Sequence, residues 1–153
     1  MLCKSARACT MVTPSLSRPI ALQECSAILL ECVREADIVA RMGGDEFAVI
    51  LPETDSGQAA VIAERLRKVI RARCGAGMRE RLAGAPGAHP LDDLDITVSV
   101  GVSSCPEHPS DVDGLIKAAD DAMYAVKNAS KNGVAVSALP TGKAPDRGNP
   151  IHR

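Results

Sequence analysis

Between residues 22 and 33, apolar side chains recur at every third or fourth position. Leu22, Cys25, Ile28, Leu29, Cys32 and Val33 fall on one helical face. Ser17 and Pro19 stand just ahead as N-cap and early-turn proline, so the pattern predicts a helix beginning near Pro19. Two apolar runs follow, at residues 38–40 and 47–51, and the glycines between them predict a hairpin. Pro52 ends its second strand. Asp55 or Ser56 can cap a further helix with a buried stripe of Ile62, Leu66, Val69 and Ile70. Its other face, with Glu64, Arg65, Arg67, Lys68 and Arg71, reads as solvated. Glycines and prolines punctuate residues 75–94 and predict a long loop. A strand over 96–102, a helix over 112–131 buried along Leu115, Ile116, Ala119, Met123 and Val126, and a strand near 134–136 complete the pattern. The Pro-, Gly- and charge-rich tail from 139 to 153 reads as disordered.

Composition narrows the classes. The chain has 153 residues, 46% of them hydrophobic, enough for one domain with a core. Phe47 and Tyr124 are its only aromatics, and the formal charge is −1. Stacking platforms and a basic face are both lacking, which argues against a nucleic-acid partner but not against a mononucleotide. The six cysteines form no CxxC pair and read as free thiols. No segment approaches the roughly 20 apolar residues that span a bilayer, and no signal-peptide pattern is present. The expectation is a soluble, cytoplasmic protein.

The candidate chemistry begins at the hairpin. Gly43 and Gly44 permit positive φ and close approach to the backbone, and Asp45 and Glu46 follow at once. Neighbours on an extended chain point to opposite faces, so one carboxylate is expected to face a ligand directly. An acidic hairpin turn is the plainer reading; a metal-bound phosphate site is the sharper one. Lys127 and Lys131, four apart, are expected on one helical face, either as surface lysines or as cations for phosphate. Arg34 and Asp37 form an R-x-x-D pair, which can simply end a helix and begin a strand.

Four blocks in order carry a more specific signal. They are residues 34–41 leading into the hairpin, Thr97-Val98-Ser99-Val100-Gly101-Val102, residues 118–127, and Ser130-Lys131-Asn132-Gly133. From near Ala21 to about Val136 the chain resembles the GGDEF family of diguanylate cyclases, which join two GTP molecules into cyclic di-GMP. The resemblance implies an α/β fold: an α+β sandwich like the nucleotidyl cyclase palm, with an antiparallel sheet packed on helices. It implies Mg2+ or Mn2+ as cofactor and catalysis across a homodimer. By residue, it implies Gly43 and Gly44 for phosphate approach, Asp45 for metal binding and activation of a 3′-hydroxyl, and Glu46 in support. Lys127 and Lys131 would meet the triphosphate, Lys131 standing where arginine is usual. Arg34 and Asp37 match the family's inhibitory product site, and their donors and acceptors suit guanine.

The chain departs from the family upstream. Functional members carry, ahead of the helix that begins here near Pro19, a strand and helix with a metal-binding Asp and with the Asn and Asp that read guanine. Here the first Asp is Asp37 and the first Asn is Asn128. The chain therefore reads as an N-terminally truncated copy: an uncertain segment 1–18, a partial GGDEF domain 19–138, and the tail. Loss of one metal carboxylate predicts a rate lower by on the order of a hundredfold or more. Residues 9–13, Cys-Thr-Met-Val-Thr, are β-prone and can substitute for the missing strand. Three functions follow as alternatives: a weak diguanylate cyclase, a non-catalytic cyclic di-GMP-binding regulatory module, or an inactive remnant.

Overall fold

The computed structural model describes residues 7–15, 19–82, 95–106 and 111–138. Eight elements run in the order β1 (Arg7–Pro14), α1 (Pro19–Cys32), β2 (Ile38–Gly43), β3 (Glu46–Pro52), α2 (Ser56–Leu82), β4 (Val98–Cys105), α3 (Val112–Ala129) and β5 (Gly133–Val136). The five strands form one sheet in the order β2-β3-β1-β4-β5. Helices cover both faces.

The substitute strand expected over residues 9–13 is present, extends over Arg7–Pro14 and is central. β1 takes in residues 9–13 and pairs antiparallel with β3 on one side and β4 on the other, from Ala8↔Leu51 to Val12↔Phe47 and from Arg7↔Cys105 to Pro14↔Val98. Its backbone groups, which would be costly to leave unpaired in the interior, are thus engaged along both edges. Its side chains alternate as a two-faced strand requires. Ala8 and Val12 enter the larger core with α1, α2, Phe47 and Val100, whereas Cys9 and Met11 pack with Ala48, Ala119 and Met123 of α3. Burial pushes the Cys9 thiol up to about 11, so it remains a neutral core side chain at ordinary pH. Only four residues separate β1 from α1, too few for the family's intervening helix. The sheet is also mixed: β4 and β5 run parallel, with Ser99↔Gly133 through Val102↔Val136.

The second correction concerns α2, which runs 27 residues to Leu82 and absorbs the first part of the expected loop. Leu66, Ile70, Cys74 and Met78 are all buried, an i, i+4 stripe that continues straight through Gly75 and Gly77. A Cβ at Gly77 would meet only the carboxylate end of the Glu24 side chain, which can swing aside. Arg81 then ion-pairs with Glu24. Residues 83–94 of the expected loop, and the tail 139–153, lie outside the described residues.

The basic face of α2 is not simply solvated. Arg65 donates to the Cys32 carbonyl at the end of α1 (2.7 Å), Arg71 to Asp95 (2.9 Å) and Arg67 to Asn132 (2.8 Å). These guanidinium groups tie α2 to three other parts of the chain. Among the cysteines, 9, 25, 32 and 74 are free, and the Cys25 and Cys74 sulfurs lie 3.6 Å apart between α1 and α2. Cys105 departs from the free-thiol expectation, being disulfide-bonded. Among the described residues, no helix is long and apolar enough to cross a membrane.

Candidate functional site

The β2–β3 turn lies at the end of the sheet where β1 finishes and where β4 and β5 begin. Gly44 adopts φ 51°, a left-handed conformation that a side chain would strain. Arg41 holds this turn, donating from Nε (3.1 Å) and Nη2 (2.5 Å) to the Gly44 carbonyl. A Cβ placed on Gly43 or Gly44 meets nothing within 4 Å, so space above the turn is open to a ligand.

Beside the turn is an open cleft of about 930 Å³, bounded by Leu22 and Ser26 of α1, Val39 and Arg41 of β2, Asp45 of the turn, and Arg81 of α2. Glu46 belongs to the other side of the sheet. Its Oε1 lies 3.8 Å from Lys127 Nζ, and both side chains are half-buried. The two adjacent carboxylates therefore divide between the faces: Asp45 borders the cleft and Glu46 the α3 side.

α3 ends at Ala129, so Lys131 does not share a helical face with Lys127. It sits in the turn into β5 at φ 54° and is exposed, its amide bonded to the Val126 carbonyl (3.0 Å). The left-handed turn redirects the chain from α3 into β5 at the same end of the sheet as the hairpin. Lys127 and Lys131 reach that end from different backbone segments.

Arg34 and Asp37 do come together, in the turn between α1 and β2. Asp37 Oδ2 accepts from the Arg34 amide (2.7 Å), and the Asp37 amide donates to the Arg34 carbonyl (3.0 Å). The Arg34 side chain is exposed. The pair stands before Ile38, at the opposite end of β2 from the glycines, roughly 20 Å along the strand. It is a separate locus from the cleft.

For a divalent metal, the donor set is thin. No three His, Cys, Asp or Glu side chains converge among the described residues, and β1 brings no carboxylate to its end of the sheet. Magnesium is commonly held by one or two carboxylates plus substrate phosphates, so Asp45 fits it only in company with a phosphate ligand.

Arg41, Arg67 and Arg81 were not singled out as site residues by sequence reasoning. The stripe at 66, 70, 74 and 78 could have brought Arg81 toward the cleft. Nothing in the local sequence marks the carbonyl that Arg41 grips or the amide that Arg67 meets.

The family model described as diguanylate cyclase, GGDEF domain, matches residues 20–133. Diguanylate cyclase A of Treponema denticola is 33% identical over 118 residues, covering 77% of this chain and 29% of that protein. Response regulator PleD of Caulobacter vibrioides is 34% identical over 115 residues, covering 74% and 23%. The chain thus spans less than a third of the length of these curated relatives. Among solved structures, the GGDEF domain of DgcB from Caulobacter crescentus, in complex with c-di-GMP, superposes with a TM-score of 0.71 at 20% identity, covering 87% of this chain and 78% of that one. That likeness establishes the shared fold.

Proposed function

The chain belongs to the GGDEF family of diguanylate cyclase domains, and on that footing we propose that its cleft binds GTP and that two copies condense two GTP into cyclic di-GMP. The observation that carries the reading is the Arg41-clamped turn, which sets Asp45 at the rim of the 930 Å³ cleft under open space. Gly43 and Gly44 admit a phosphate close to the backbone. Asp45 accepts the proton of a ribose 3′-hydroxyl, whose oxygen attacks the α-phosphorus of the GTP on the partner copy. The bond to the β-phosphate breaks and pyrophosphate leaves. Lys127 and Lys131 neutralise phosphate oxygens as point charges, and Glu46 orients Lys127. Asp45, together with substrate phosphates, would hold magnesium or manganese, which when bound would supply charge stabilisation to the phosphoryl transfer. Each copy presents one half of the reaction, so the active species is a homodimer, and the domain works in the cytoplasm.

A second reading is favoured by two observations: β1 carries no carboxylate, and Arg34 is exposed beside the Asp37 turn. In this reading the chain is a cyclic di-GMP receptor, Arg34 donating to guanine O6 and N7.

The deciding experiment is product chromatography after incubation of the purified chain with GTP and magnesium. Cyclic di-GMP is expected at a rate that rises with protein concentration and falls at least about a hundredfold in Asp45→Asn, the scale of a lost general base. No product from the folded chain, with cyclic di-GMP binding abolished by Arg34→Ala, would transfer the function to the receptor reading.

A further inference from the structure

We propose that Arg67 of α2 is a positioning residue that holds Lys131 in place for the nucleotide's phosphates, an inference that rests on the GTP reading above. Lys131 is not carried by a helix. It lies in a left-handed turn at φ 54°, a conformation that a non-glycine residue keeps only when its surroundings over-determine it.

Three contacts do so here. The Lys131 amide donates to the Val126 carbonyl (3.0 Å), Thr97 Oγ1 donates to the Lys131 carbonyl (3.1 Å), and Arg67 Nη1 donates to Asn132 Oδ1 (2.8 Å). The first two fix the backbone of Lys131 from α3 and from the lead into β4. The third comes from the opposite face of the sheet and fixes the next residue.

Arg67 is built for this. Its Nε and Nη2 form a fork on Glu64 (2.8 and 2.7 Å), which leaves Nη1 aimed at Asn132. The side chain is 17% exposed, against 69% for its neighbour Lys68. A lysine, with one nitrogen, cannot span both partners in that planar arrangement. Releasing Asn132 removes the one of the three contacts that comes from α2 and loosens the turn, and the Lys131 ammonium then samples directions away from the phosphates. Arg67 itself touches no substrate.

The test is a double-mutant cycle on GTP affinity, read by calorimetry on the full chain with magnesium. Arg67→Ala, Arg67→Lys, Asn132→Ala and Lys131→Ala are each expected to weaken GTP binding by about tenfold, the scale of one charge-assisted phosphate contact. In the Lys131→Ala background, Arg67→Ala is expected to weaken it no further, because both changes remove the same contact. A merely structural Arg67 would instead lower affinity independently of Lys131. Additive losses, or full GTP affinity in both Arg67→Ala and Asn132→Ala, would overturn the proposal while leaving the GTP reading intact. Absence of GTP binding to the unmodified chain would overturn both. Urea midpoints of the same variants check that each is folded, and Asn132→Ala tests the link without altering α2.

Discussion

Thr10 stands mid-strand in β1, 1% exposed, and its hydroxyl finds no hydrogen-bond partner among the described residues. By alternation it faces the same core as Ala8 and Val12. A buried hydroxyl left unsatisfied carries a desolvation penalty that an apolar group of the same shape does not. Thr10→Val is therefore expected to raise stability by about 1 kcal/mol, seen as a higher urea midpoint with an unchanged slope. A lower midpoint would mean that the hydroxyl is satisfied by water. Residue type alone made Gly43, Gly44 and Asp45 legible, because a tight turn with room above it needs glycine and a carboxylate brings its own chemistry. Arg41 and Arg67 were not legible in this way. The partners of a long, flexible cation are chosen by whatever carbonyl or amide the fold brings within reach.

At the scale of elements, the seating of α3 on β4 depends on a single missing side chain. A Cβ on Gly101 would run into the Ala119 carbonyl oxygen and the backbone of Met123. Those are main-chain atoms of a helix and cannot swing aside as a side-chain end can. Gly101→Ala should force α3 off the sheet and cost about 3 kcal/mol or more, measured by chemical denaturation, with the Met123 contacts weakened first. A near-neutral result would show that the helix is free to shift. The element pattern also explains the misjudged end of α2. Two glycines suggested a loop, yet Cys74 and Met78 keep the i, i+4 stripe buried against α1. Packing outweighed the roughly 1 kcal/mol that each helical glycine costs.

For the molecule as a whole, β1 decides whether there is one fold. Among the described residues it is the only strand joining the β2–β3 hairpin to β4 and β5, and it contributes side chains to both cores. Removing residues 1–15 is expected to abolish cooperative unfolding, followed by circular dichroism during urea titration. In the intact chain, amides of residues 8–13 should rank among the slowest to exchange. A truncated chain that still unfolds in one sharp transition would refute this role. The sequence by itself determined the hairpin and its glycines, the three helices, the later strands, and the membership that four ordered motif blocks announce. Those are local signals, written in spacing and in backbone permissions. Only the tertiary structure decided that the β-prone segment becomes the central strand, paired on both edges, that Asp45 borders the cleft while Glu46 lies against Lys127, that Lys131 leaves its helix, and that Arg67 reaches Asn132. Each of these depends on strand pairing or helix docking between residues far apart in the chain, and no local pattern encodes which distant groups will meet.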